Sequence, residues 1–365
     1  MKSIICVLLL VSCLNSLCPC SGFAGEPWTD AALTNLLQGQ AREAAPDIGF
    51  VLAVVEPHGV RRFCIGKLDG SHSAAVNADT LFEIGSVTKV FTSLVLADMV
   101  QKGEVKLDDP ISKFLPATVK VPTRKGKEIT LIDLATHSSS LPRLPTNLGL
   151  MALLWHGDNP YARYTVQDLY DFLSGYTLPR DIGERYEYSN VGGGLLGHVL
   201  ALKAGTNYEA MVLERICQPL GMTNTFIHIP AALKATLATG HNEKGKAVPN
   251  WDMPALEGAG ALRSSANDLV KLIQASLGLD KTSLKPALDL VSTPRRSTDL
   301  PATRIGLGWH VLSKDGRDLV WHNGGTGGYR SFVGFDKQRQ FGFVVLSNSA
   351  KDVDDLGFDL LRGED

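Results

Sequence analysis

Strand-length apolar runs stand near both ends of this chain, and helix-period text fills most of the stretch between them. Near the start, Ile48–Val55 is a dense apolar run, followed by the turn Glu56-Pro57-His58-Gly59 and a second run, Val60–Ile65. This pattern predicts a hairpin. Far down the chain, Ile305–Leu312, Leu319–His322, Tyr329–Phe335 and Phe341–Leu346 read as short strands, with Lys314-Asp315-Gly316 and Asp336-Lys337-Gln338 as turns between them. The economical solution is one antiparallel sheet built from both ends, covered by helices, with a helical region inserted. The expected fold class is therefore α/β: residues 25–103 and 261–365 form the sheet-bearing part, and residues 104–260 form a mostly helical one.

The helical text has its own punctuation. Thr29–Ala44 carries Ala32, Leu33, Leu36 and Leu37 on one side. A helix starting near Ser86 repeats Val90, Phe91, Leu94, Val95 and Met99 at helical spacing, and Gly103 follows Lys102 as a C′ residue. Thr165–Leu173 and Asn207–Ile216 are shorter helices. Ser265-Ala266-Asn267-Asp268 opens another that runs to Leu277 with a capping-box-like start. Asp352–Leu361 is the last.

With 365 residues, 44% apolar and 20% charged, the chain has an ordinary globular balance. Its net charge of −2 supplies no basic field for nucleic acid or anionic lipid. The first two dozen residues read as a secretory signal. Lys2 is the positive region, Ile4–Val11 is an apolar run too short to span a bilayer, and Gly22-Phe23-Ala24 offers small residues for cleavage after Ala24. Leu10-Val11-Ser12-Cys13 is a competing lipoprotein box that would lipidate Cys13. Either way the chain is expected to be exported, to the periplasm or beyond, with no later transmembrane segment. Cys6, Cys13, Cys18 and Cys20 fall in the leader, so the mature chain keeps Cys64 and Cys217, as a pair or as two buried thiols.

Three short motifs carry chemistry. Ser86-Val87-Thr88-Lys89 is an S-x-x-K at the start of an apolar helix. Positions i and i+3 share a face, so the amine can reach the hydroxyl, and a desolvated lysine can act as base for a serine nucleophile. The free N–H groups and positive dipole end of the helix suit an oxyanion. Tyr188-Ser189-Asn190 can set a phenol beside an amide. His322-Asn323-Gly324-Gly325-Thr326-Gly327-Gly328 ends an apolar strand with glycines that let a ligand approach its edge.

In this order the three motifs resemble the serine β-lactamase and penicillin-binding protein superfamily, most of all class C β-lactamases and their DD-peptidase and esterase relatives. Phe82-Glu83-Ile84-Gly85, Leu107-Asp108-Asp109-Pro110 and the run from Gly260 to Leu269 also match, so the likeness spans roughly residues 28 to 350. The resemblance implies a β-lactamase/transpeptidase-like sandwich with the site in the cleft beside the helical region. It implies catalytic roles for Ser86, which is acylated, and for Lys89 and Tyr188, which exchange the proton. It implies substrate binding by Asn190, His322, Asn323, Gly324, Gly325 and Thr326, with the N–H groups of Ser86 and Gly325 as the oxyanion hole.

Two departures from the family pattern stand out. His137-Ser138-Ser139-Ser140-Leu141-Pro142 has Ser140 where the family has glycine. His322 replaces the class C lysine, and an unperturbed imidazole is only partly charged at neutral pH. A cationic His322 would hold a substrate carboxylate, and histidine at this position resembles DD-peptidases and D-amino-acid peptidases or esterases more than efficient β-lactamases.

Other signals are discounted. Gly192-Gly193-Gly194-Leu195-Leu196-Gly197 fits a dinucleotide fingerprint but follows a polar loop, so close helix packing explains it better. G-x-S-x-G is absent, as is any zinc-ligand spacing, so no metal or other cofactor is expected. The expected partner is a small molecule: a β-lactam, an ester or a D-alanyl peptide. A penicillin-binding sensor that acylates without turnover is the contrasting reading.

Overall fold

The computed structural model describes residues 28–45, 48–69, 74–149 and 159–363. The leader reading, with its cleavage site and four cysteines, lies outside them. The first helix, α1 (Asp30–Glu43), is capped by the Thr29 hydroxyl, which accepts from Ala32 N. The expected hairpin follows as β1 (Phe50–Glu56) and β2 (Gly59–Ile65).

The two ends of the chain build one antiparallel sheet. To the hairpin are added β3 (Arg296–Ser297), β4 (Thr303–Ile305), β5 (His310–Lys314), β6 (Arg317–Gly325), β7 (Arg330–Asp336) and β8 (Phe341–Ser347). The spatial order is β2-β1-β8-β7-β6-β5-β4-β3, so the first long strand pairs with the last, Phe50 opposite Ser347. Both faces of this sheet are covered, which is why its central strands read as continuous apolar runs rather than alternating ones. Phe50, Leu52 and Val54 join a cluster with Leu33, Leu37 and Leu360 on one face. Val51, Ala53 and Val55 join Leu94 and Ile273 on the other.

Four more helices frame the site. They are α2 (Thr88–Gln101), α3 (Asn190–Ala204), α4 (Ala266–Leu277) and α5 (Asp354–Arg362). Helix α2 is buried from Thr88 through Met99, as befits a helix apolar on nearly all sides, and Gly103 ends it with φ +70°. Helix α4 opens on Ser265, whose hydroxyl accepts from Asp268 N.

Three details differ from the sequence reading. The run Ile305–Leu312 is broken between β4 and β5, where Gly308 takes φ +73°. Strand β6 extends through Gly325, so the first glycines of the rich run are paired strand residues opposite Ser331 and Arg330. Cys64 and Cys217 are not paired: the first is exposed on β2 and only the second is buried, so neither the bridge nor the two-buried-thiols reading holds.

Candidate active site

Ser86 sits in a turn of 3₁₀ helix, Gly85–Val87, that feeds directly into α2. One helical turn on, Lys89 points back at it: Nζ lies 3.1 Å from Ser86 Oγ, 3.0 Å from Asn190 Oδ1 and 2.7 Å from the Ala259 carbonyl. The lysine is 2% exposed. Burial, with help from the nearby Arg143 charge, holds its pKa well below the usual lysine range. A neutral amine beside a serine hydroxyl is a base.

The second side of the site comes from the loop before α3. Lys89 Nζ packs over the Tyr188 ring, 4.7 Å from its centroid, and Arg143 packs over it at 5.2 Å. Burial pushes the Tyr188 phenol above its ordinary range, while its hydrogen bond with Ser86 and the Arg143 charge oppose that rise. The loop is clamped by residues 137–143. Ser189 N donates to His137 Nδ1, Ser189 Oγ donates to the Pro142 carbonyl, and Asn190 N donates to the Arg143 carbonyl. Asn190 then divides its amide: Oδ1 accepts from Lys89 and Nδ2 donates to Tyr161 Oη at 3.0 Å. Ser140 answers the first family departure. It adopts φ +65°, the left-handed conformation a glycine would take freely, and it does so while 2% exposed, with Oγ accepting from Arg180 N.

The third side is the end of β6, brought against the serine by missing side chains. A Cβ on Gly85 would lie 2.6 Å from Gly325 N, and one on Gly324 would lie 2.1 Å from the Ile84 carbonyl. Gly85 has φ +47° as well. Two glycines facing each other thus bring the Gly325 backbone against the turn that carries Ser86.

The remaining residues of this strand behave differently from their motif. His322 is fully buried, with Nδ1 2.5 Å from the Asn323 carbonyl. A carbonyl only accepts, so Nδ1 carries the proton, and Nε2 has no hydrogen-bond partner among the described residues. Burial is the main cause that drives its pKa well below the histidine range. The imidazole is enclosed, 6.4 Å from the Tyr188 ring and 5.2 Å from the His310 ring, and this burial works against the partly charged form that a carboxylate anchor would use. Asn323 lines the cleft but donates Nδ2 to Asp354 on α5. Thr326 lines it too, 5% exposed, with its hydroxyl beside the buried Glu83 carboxylate.

Ser86 opens onto a cleft of about 670 Å³ whose walls include Tyr188, Trp251, Trp321, Asn323, Gly325 and Arg330. A smaller lobe of about 240 Å³ adjoins it past Tyr161 and Asn190. Several contributors carry no motif and were not found by sequence reasoning. Arg143 is one, and its only signal is its place directly after Leu141-Pro142. Another is His310, which pairs with Tyr186 Oη at 2.9 Å and stacks on Trp321. Buried Glu83 and Arg263 form an ion pair at 3.2 Å and fix the Trp251 backbone from both sides, through Trp251 N and its carbonyl. Among the described residues no group of three His, Cys, Asp or Glu side chains is placed to hold a metal ion, and no helix is long and apolar enough to cross a membrane.

Comparison with known proteins agrees with this geometry. The β-lactamase family model matches residues 39–362. The D-alanyl-D-alanine-carboxypeptidase/endopeptidase AmpH of Escherichia coli K12 is 29% identical over 318 residues, covering 82% of this chain and 80% of its own. A β-lactamase of the same strain is 26% identical and covers 95% of this chain and 94% of its own. The crystal structure of a β-lactamase/D-alanine carboxypeptidase from Pseudomonas syringae superposes with a TM-score of 0.78 at 20% identity, over 92% of this chain and 99% of that one. The chain belongs to the β-lactamase family, and it is a serine hydrolase of that superfamily.

Proposed function

We propose that the chain hydrolyses β-lactams or related amide and ester bonds through an acyl-enzyme on Ser86, as class C β-lactamases do. The observation that carries this reading is the contact of buried Lys89 with Ser86 Oγ, Asn190 Oδ1 and the Ala259 carbonyl, beneath the Tyr188 ring. Lys89, desolvated and neutral, takes the proton of Ser86 Oγ in concert with Tyr188 as Oγ attacks the carbonyl carbon. The N–H groups of Ser86 and Gly325 receive the oxyanion. The leaving nitrogen or oxygen recovers the proton as its bond to the acyl carbon breaks. Water, deprotonated by the same pair, then attacks the ester and releases the acid and free Ser86.

A second reading is that D-alanyl peptides or short-chain esters are the preferred substrates and β-lactam turnover is weak. Burial disfavours the cationic form of His322, which weakens the hold on the carboxylate of a β-lactam and of a D-alanyl peptide alike and leaves a neutral ester unaffected. In either case the substrate is a small molecule met outside the cytoplasm after export. A sensor without turnover fits less well, since both Tyr188 and Asn190 stand in place beside the serine. The test is acylation followed by turnover. A fluorophosphonate should mark the peptide containing Ser86, and Ser86→Ala should lose both label and activity. Turnover of a chromogenic cephalosporin beside a short-chain nitrophenyl ester then ranks the readings. Label on another serine, or full activity in Ser86→Ala, would remove the mechanism.

A further inference from the structure

If His322 is neutral, a substrate carboxylate must find its counter-charge elsewhere in the cleft. Two arginines line the large cavity. Arg330 is already engaged, its Nη1 donating to the carbonyls of Thr326 and Tyr329. Arg143 is exposed, and its guanidinium makes no hydrogen bond and no ion pair among the described residues. It lies over the Tyr188 ring, and it borders both the large cavity and the smaller lobe. Ser86, Trp251 and Gly325 are the other residues common to the two. Its charge is felt at Lys89, Tyr188 and Tyr161, three groups that surround the nucleophile.

The large cavity also carries acidic groups. Asp299, Asp352 and Asp354 line it, and Asp354 is pushed up to about 6 by burial and by the neighbouring Asp352. A carboxylate placed against these groups is repelled, whereas at the junction of the two lobes it meets a guanidinium with no ion-pair partner among the described residues. We propose that Arg143 is the specificity-determining residue of the cleft, a subsite for a carboxylate on the substrate at the junction of the two lobes.

This inference rests on the Ser86 hydrolase reading, and the experiment separates the two. The matched pair is 3-acetoxybenzoate and its methyl ester, which share the scissile bond and differ in one charge. For Arg143→Met, kcat/KM should fall about ten-fold or more further for the acid than for the methyl ester, the scale of one lost charge-assisted hydrogen bond. Arg143→Lys should recover part of that difference, and Arg143→Glu should enlarge it. In the native protein the acid-to-ester ratio should also fall as salt rises, since Arg143 is exposed. Fluorophosphonate labelling of Ser86 in each variant shows that the nucleophile is still assembled. Equal losses on the two substrates, with labelling intact, would overturn the subsite and leave the hydrolase reading standing. No label on Ser86 in the native protein would overturn the hydrolase reading and the subsite with it.

Discussion

Gly193 tests the geometry of Lys89, the proposed base, directly. It lies in α3, where a glycine costs the helix about 1 kcal/mol relative to alanine. An added Cβ would stand 2.9 Å from Lys89 Cε and 3.3 Å from both Cδ and Cγ. Comfortable carbon contacts begin near about 3.5 Å, so the lysine stem must retreat by somewhat under about 1 Å. That movement is enough to stretch the 3.1 Å contact of Nζ with Ser86 Oγ beyond hydrogen-bonding range. Overpacking of this kind costs about 1–3 kcal/mol and the helix gain offsets about 1 of it, so the fold should survive with a modest loss. Activity should suffer more, because a misplacement near about 1 Å can cost about 100-fold in rate, or close to 2.7 kcal/mol of barrier. The assay is kcat/KM on a nitrophenyl ester beside a thermal melt. Gly39→Ala is the control, since a Cβ there meets nothing within 4 Å and should stabilise α1 without touching rate. Activity within about three-fold of native in Gly193→Ala, with the melt unchanged, would refute the reasoning that a Cβ at this position displaces Lys89.

Two further outcomes concern the histidines. In Asp354→Asn, which removes the cleft carboxyl pushed up to about 6, the kcat/KM ratio of a carboxylated to a neutral ester should stay flat from about pH 5.5 to 8.5, since burial disfavours a charged His322. In that variant a ratio that falls through a pKa near about 6.5 would show that His322 titrates after all. His310, between Tyr186, Trp321 and His322 and near Lys89, is pushed down to about 4 by burial. An unfolded histidine binds its proton near pH 6.5 and the native one refuses it until about pH 4, so stability is lost as pH falls through that window. The loss is about 3 kcal/mol at most from this one group, and His310→Phe should flatten the denaturation-derived stability profile by a comparable amount. Parallel profiles for the two proteins would show that the ring is not held neutral.

Local pattern was enough for much of this protein. The i, i+3 spacing of Ser86 and Lys89, the hairpin near the start, the Ser265 cap and the terminal Gly103 are all decided within a few residues, and each appears where the spacing places it, whereas the run Ile305–Leu312 is broken at Gly308. The discounted glycine fingerprint also resolves as packing: Gly193 meets Lys89, Gly194 meets Leu256, and Gly197 meets Gly258 and Tyr208. The charge state of the site was not legible in the same way. Whether His322 is a cation depends on what encloses it, and that enclosure comes from Tyr188, His310 and Lys89, which belong to three different elements. The same holds for Arg143. Its residue type promises only a solvated charge, and the close approach of the 137–143 loop to Tyr188 is what turns it toward the nucleophile. Periodicity and capping are properties of neighbours along the chain. Desolvation and counter-charge are properties of neighbours in space, and only the tertiary structure decides those.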